Sequence, residues 1–186
     1  SVYSKDFIES YMAHNAQDPI HYPNTDWQAL MIKNSTSHQK HALSMTGGSE
    51  RIKTKATFNY FTGDGYYDGN SFNKYSGRVN SDMQITKWMN SSIDLQYHYT
   101  KDDDVPAGHE PGSGIIGKSF DLPQIYTAKW ADGTYADVKD GNNILPLLED
   151  GGFVQNKHYG LQGKAQLDIT PFKGFTVTAI FSPNFN

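Results

Sequence analysis

Lys74-Tyr75-Ser76-Gly77-Arg78-Val79-Asn80-Ser81-Asp82-Met83-Gln84-Ile85 is the stretch whose reading decides the fold. Tyr75, Gly77, Val79, Ser81, Met83 and Ile85 fall on one side of an extended chain. Lys74, Ser76, Arg78, Asn80, Asp82 and Gln84 fall on the other. Successive strand side chains point to opposite faces, so this alternation predicts a strand with one apolar and one wet face. The same period recurs at 91–100, where Ile93, Leu95, Tyr97 and Tyr99 alternate with Ser92, Asp94, Gln96, His98 and Thr100. It recurs again at 158–169 and 175–182, and less cleanly at 38–46 and 53–62. Six strands are therefore expected. Several are about 9–12 residues long, beyond the usual strand of about 5–6 and close to the 9–11 that a tilted strand needs to cross a bilayer.

The connections sort by length. Residues 47–50, 86–89 and 170–174 are short turns, whereas 63–72 and 101–157 are longer. Strand parity places the three short turns at one end and both longer loops at the other. Outer-membrane barrels show this asymmetry, with short periplasmic turns and long extracellular loops. Aromatics fall at two levels. Tyr60, Phe61, Tyr66, Tyr67, Phe72, Tyr75, Tyr97, Tyr99 and Tyr159 lie toward the long-loop end, and Trp88, Phe172 and Phe175 toward the short-turn end. Two such levels match the aromatic girdles of a membrane barrel. The expected fold is all-β: a segment of a large antiparallel transmembrane β-barrel.

Composition agrees. Of 186 residues 13% are aromatic, 19% charged and 37% hydrophobic, the last below the ordinary globular share. Mean hydropathy is -0.65, which excludes a helical membrane protein but not a barrel, since half of each barrel strand faces polar space. The chain has no Cys, which excludes disulfides, thiolate metal sites and cysteine nucleophiles. A net charge of -4 without a basic cluster argues against nucleic acid as a partner. Six strands are too few to close a membrane barrel, and an open edge in lipid is costly. The sequence is therefore expected to be a piece of a larger barrel. Residues 1–37 read as a separate loop region with short helices, one over Phe7, Ile8, Tyr11 and Met12 and one over 26–32. Residues 38–186 read as barrel strands with the long loop 101–157.

No catalytic constellation stands out, so an enzyme is not expected. The seven histidines, His14, His21, His38, His41, His98, His109 and His158, form no metal-ligand spacing. Asp102-Asp103-Asp104 offers carboxylate oxygens to a hard cation but lacks calcium-loop spacing. No cofactor is expected. Lys74, Arg78, Asp82, Asp94, Gln96, Gln162, Lys164 and Asp168 fall on the wet faces and are expected to line the lumen. In the long loop, Phe120, Tyr126, Trp130 and Tyr135 stand among polar residues, candidates for contact with substrate or a partner. The competing role for these rings is to pack the loop itself.

A resemblance sharpens the reading. Asn24-Thr25-Asp26-Trp27, followed by His41-Ala42-Leu43-Ser44-Met45-Thr46-Gly47-Gly48-Ser49-Glu50, resembles the SusC-like TonB-dependent outer-membrane transporters. The continuation Arg51 to Phe61, then Gly63-Asp64-Gly65-Tyr66, extends the match. Phe72-Asn73-Lys74-Tyr75-Ser76-Gly77-Arg78-Val79-Asn80 is similar to another strand of that family, and Trp88 sits where the family often places Trp. The resemblance is densest over 23–100. It implies a bacterial outer-membrane nutrient importer for glycans or oligopeptides, with a SusD-like surface lipoprotein as partner. It also implies energy from TonB through a plug that this sequence lacks, inside a barrel of about 22 strands. The alternative is a soluble β-rich carbohydrate-binding module, which would share the aromatics but require polar strand exteriors.

Overall fold

In a computed structural model the described residues are 3–106, 108, 110, 114–138, 141 and 143–186. They divide into two compact units, one of strands and one of connections.

The strand unit comprises 37–64, 71–103 and 155–186. Its principal strands are β1 (His38–Gly48), β2 (Ile52–Asp64), β3 (Ser71–Thr86), β4 (Met89–Asp104), β5 (Val154–Phe172) and β6 (Phe175–Phe181). They form one sheet in sequence order, and the two-residue β7 (Asn184–Phe185) adds to β5. β1 to β4 pair antiparallel, as do β5 and β6. At one end of the β4–β5 seam the Thr170 N–H donates to the Trp88 carbonyl (2.8 Å). At the other end Gln155 Nε2 donates to Asp103 (2.7 Å). β5 therefore runs antiparallel to β4 as well. Neighbours in sequence are neighbours in the sheet, the simplest up-and-down topology.

Most strands outrun the sequence expectation. β3 and β4 have 16 residues each and β5 has 19. At ~3.3 Å per residue a 16-residue strand spans about 53 Å, more than a bilayer core of about 30 Å even when tilted. The ladder absorbs residues read from sequence as loop, so the connections shrink to 65–70 and 105–153. Interstrand hydrogen bonding continues past the last alternating apolar residue, where periodicity gives no signal.

The turn sequences have local physical reasons. At 47–51, a Cβ on Gly48 would lie 2.0 Å from the Ile52 carbonyl oxygen, so the tight approach admits only glycine there. Ser49 closes the turn: its N–H donates to Ile52 O (2.7 Å), and its Oγ accepts from the Arg51 and Ile52 N–H groups (both 3.3 Å). At the β5–β6 turn Gly174 has φ +89°, and Phe172 stacks on Phe175 at 5.2 Å.

The second unit gathers residues up to 36, 65–70 and 104–154. It holds α1 (Lys5–Gln17), α2 (Trp27–Met31), α3 (Ile115–Asp121) and α4 (Leu145–Glu149). Here lies the buried core: Trp27, Met31, Tyr67, Val105, Ile115, Leu122, Ala128, Val138, Ile144 and Leu145. The Asp-Trp pair of the sequence motif accounts for much of it. Asp26 caps α2 by accepting from the Ala29 N–H (3.0 Å). Trp27, 2% exposed, fills the core and donates its indole N–H to the Pro123 carbonyl (3.0 Å). Thr25 N–H adds a bond to Gln124 O (2.8 Å). Asn143 ties the far side, donating to the Ala128 and Ala136 carbonyls (2.9 and 2.8 Å) and accepting from the Leu145 N–H (3.1 Å). The long connection is thus a folded body with its own core.

Candidate functional site

The sheet presents two chemically different faces. On the first, the register aligns Leu43 with Phe58 and Met45 with Ala56. It continues through Ala56–Val79 and Tyr60–Tyr75, then Val79–Leu95 and Tyr75–Tyr99. On β5 and β6 the same face carries Leu167 against Ala179, Ile169 against Val177 and Ala165 against Phe181. Its rings form a line across four strands: His41–Tyr60 (6.1 Å) and Tyr60–Tyr75 (4.8 Å) are stacked, and Tyr75–Tyr99 (6.1 Å) is tilted. This face is apolar from one edge to the other, yet it is open. The only buried residues in β1 to β6 are two glycines, Gly63 and Gly160. Leu43, Phe58, Leu95 and Leu161 are 56%, 48%, 49% and 44% exposed. Among the described residues none buries a side chain of this sheet.

The second face is wet. All eight residues expected to line a lumen lie on it: Lys74, Arg78 and Asp82 on β3, Asp94 and Gln96 on β4, and Gln162, Lys164 and Asp168 on β5. Arg78 stands opposite Gln96, one step from Asp94, and grips the Asp94 carboxylate through Nε (2.9 Å) and Nη2. This fork geometry suits guanidinium and carboxylate. Asp168 accepts from Thr178 Oγ1 (2.6 Å) and Gln166 Nε2 (2.9 Å). Arg51, Lys53, Asp82, Ser92, Gln166 and Asp168 contribute to a polar cavity of about 380 Å³ near the short-turn end.

The aromatic levels expected from sequence resolve into three groups. Tyr60, Tyr75, Tyr97 and Tyr99 belong to the apolar face. Tyr67 is buried in the connection unit (2% exposed) and donates its hydroxyl to Asp104 (2.8 Å). Phe61 and Phe72 lie on the wet face instead, beside His38. Parity already carried that signal, since 61 and 72 share the phase of Lys74. Chain level alone does not separate the two phases.

The four loop aromatics also divide. Phe120 and Trp130 are 69% and 51% exposed. Tyr126 and Tyr135 pack against the core. The Tyr135 hydroxyl donates to Glu149 (3.0 Å) and to Asp150, and the Lys129 ammonium lies 4.9 Å from its ring. These carboxylates hold the Tyr135 phenol well above its ordinary pKa, the hydrogen bond to Asp150 contributing most. The acidic run is used internally. Asp103 pairs with Lys101 (2.9 Å), while Asp104 accepts from Tyr67, from Asn70 Nδ2 (3.2 Å) and from the Val105 N–H (2.9 Å). Among the described residues no group of three or more His, Asp or Glu is arranged to hold a metal. His109 lies outside the described residues.

With this geometry in hand, comparison with known proteins is informative. No family model matches the chain. The TonB-dependent receptor P26 of Formosa agariphila is 24% identical over 173 residues, 91% of this chain and 17% of that protein. The TonB-dependent receptor P3 of the same organism is 26% identical over 143 residues, 74% of this chain and 14% of that protein. The chain thus spans less than a fifth of these relatives. Among solved structures, the RagAB peptide importer in its closed-closed state superposes with a TM-score of 0.63 at 21% identity, covering 89% of this chain and 19% of that one. A further structure of the RagAB peptide transporter gives 0.60 at 18% identity, covering 98% and 23%. The fold is that of a portion of an outer-membrane barrel. In sequence the chain is similar to TonB-dependent receptors and in fold to part of the RagAB transporter, in keeping with the resemblance carried by the motifs around Trp27, Gly48 and Arg78.

Proposed function

We propose that this segment forms part of the wall of a bacterial outer-membrane importer that takes up glycans or oligopeptides. TonB supplies the energy, and a SusD-like surface lipoprotein is the partner. The observation that carries the reading is the pair of faces: six adjoining strands, predominantly apolar on one side, predominantly polar on the other, and without a buried side chain on either. A soluble module cannot leave such a face in water, because contiguous exposed apolar patches beyond a few hundred Å² mark interaction or membrane surfaces. In lipid the same face is stabilising, and the closed ladder that lipid demands is supplied by further strands. Lys74, Arg78, Asp82, Asp94, Gln96, Gln162, Lys164 and Asp168 then face the lumen. The work is transport, and no bond is made or broken by these residues.

The sidedness follows from connection length. Turns 47–50, 86–89 and 170–174 face the periplasm, while 63–72 and 101–157 face outward with Phe120 and Trp130 available to a partner or cargo. The segment has no cysteine, so with any cysteine elsewhere in the transporter replaced, single cysteines in it report cleanly. In the full-length transporter, Leu95→Cys and Leu161→Cys should resist a membrane-impermeant maleimide and respond to a lipid-phase quencher. Gln96→Cys and Gln162→Cys should do the reverse. Labelling that ignores residue parity would defeat the proposal. A tag at Gly133 should be accessible on whole cells and one at Gly48 should not.

A further inference from the structure

Lys40, Phe61 and Lys74 stand side by side on three neighbouring strands, since the register pairs Lys40 with Phe61 and Phe61 with Lys74. Asn59 and Ser76 are paired in an adjoining row. These five residues line a shallow cavity of about 400 Å³ on the wet face, at the end nearest the 65–70 connection. Behind it the Phe61 ring lies 4.8 Å from Phe72 and 6.3 Å from His38, and His38 lies 6.1 Å from Phe72. Gly63 makes room for this cluster, because a Cβ there would fall 2.3 Å from His38 Nδ1 and 3.0 Å from the Phe72 ring.

Two features of the cavity need a cause. The first is the rings, set among the lysines and small polar groups of this part of the wet face. The second is charge. Arg78 and Lys101 on nearby strands each hold a carboxylate. Lys40 and Lys74, like Lys53 and Lys55 on β2, have none within ion-pair distance among the described residues, and both are exposed. Two unneutralised ammonium groups flanking a phenyl ring, with an amide and a hydroxyl alongside, form a site for an anion carried on a ring with an apolar face.

We propose that Lys40, Phe61 and Lys74 form a subsite for an acidic sugar of an oligosaccharide cargo, deepening the importer reading on which it rests. The C–H face of a pyranose lies on Phe61, its hydroxyls reach Asn59 and Ser76, and its carboxylate or sulfate ester lies between the ammonium groups. A peptide fits less well. Peptide sites of the strand-addition kind draw affinity from main-chain hydrogen bonds at a free sheet edge. β2 and β3 are interior strands whose backbone groups are taken by the ladders with β1 and β4. What remains is side-chain chemistry of the kind sugars use.

The test is calorimetric binding to the full-length transporter with four probes of matched length: oligogalacturonate, a sulfated carrageenan oligosaccharide, maltohexaose and hexaglutamate. At least one acidic oligosaccharide should bind, and the better of the two identifies the anion. Lys40→Gln with Lys74→Gln should weaken it at least tenfold. Phe61→Leu should weaken it with charge unchanged, and the double Arg variant should retain it. Heat-modifiable electrophoretic mobility verifies that each barrel has assembled. Unchanged affinity in the double Gln variant, failure of both acidic oligosaccharides to bind, or tighter binding of maltohexaose or hexaglutamate would each overturn the subsite. TonB-dependent uptake in cells is read separately. If uptake persists without help from the two lysines, the subsite alone fails; if uptake does not require TonB, the importer reading itself fails.

Discussion

Leu95→Arg, set against Gln162→Arg, puts one charge on each face of the sheet at nearly the same depth. Leu95 is 49% exposed on the apolar face. Gly163 is its neighbour on β5, with the Leu95 Cδ2 atom 3.4 Å from where a Gly163 Cβ would stand. Gln162 adjoins Gly163 and points to the other face. Depth follows from the strand. Tyr99 comes eleven positions after Trp88, and at ~3.4 Å per residue that is about 37 Å along β4. A tilt of about 40° reduces it to about 28 Å, close to the ~25 Å apolar band of outer-membrane barrels. Leu95, four positions before Tyr99, therefore lies about 10 Å below the tyrosine level and near the middle of the band. An arginine there should cost about 2–4 kcal/mol, whereas on the lumen side at the same level it should cost close to nothing. The assay is unfolding of the full-length transporter from lipid vesicles in guanidinium, read by tryptophan fluorescence and electrophoretic mobility. A lower midpoint for Leu95→Arg alone is expected. Equal loss in both variants, or loss only in Gln162→Arg, would refute the assignment of faces.

Three further outcomes follow from the connection unit. Trp27→Ala should remove about 3–5 kcal/mol of its stability through loss of core volume and of the bond to Pro123. Amide exchange over 115–138 should rise while exchange in β2 to β4 stays slow. Burial, with the Asp104 carboxylate second, raises the Tyr67 phenol above its ordinary value. Its contribution is therefore complete below the unfolded tyrosine pKa of about 10 and is lost as pH rises through the higher folded value. Protection of the same amides, taken relative to their base-catalysed intrinsic exchange, should begin to fall above about pH 10, and Tyr67→Phe should remove that fall. Finally, Phe120→Ala with Trp130→Ala should lower affinity for partner or cargo without changing exchange rates, because both rings are exposed, whereas Tyr126→Ala should loosen the unit itself. Unaltered affinity in the first pair would remove those rings from the binding surface.

The strands were legible because their stability is organised face by face. Alternation in 74–85 and 91–100 reports an environment that is uniform along each face, and the register confirms it residue for residue. Strand ends were less legible, since β4 continues through Lys101 to Asp104 on hydrogen bonding and polar contacts without apolar alternation. The connection unit was least legible, for a different reason. Its core joins Trp27, Tyr67 and Ile115, which come from three separate segments, and no local period records such contacts. Tyr126 and Tyr135 illustrate the limit: candidates for an exposed surface because they sit among polar residues, both pack against the buried core, and Tyr135 is further held by Glu149 and Asp150.

The same contrast explains why a chain with mean hydropathy of -0.65 can present a membrane surface. A buried core needs apolar residues converging from several directions, and here that core is confined to the connection unit. A barrel wall needs them only at alternate positions, facing outward, and it tolerates any soluble group between. The wet-face rings Phe61 and Phe72 break that economy. On the polar-phase side they gain nothing from lipid and only their contact with each other and His38, and the glycine at 63 leaves the room that seats them. A ligand that brings its own apolar face would account for their placement, which is why we propose the cavity between Lys40 and Lys74 as the cargo subsite on this wall, with the exposed loop rings Phe120 and Trp130 set to meet partner or cargo outside it.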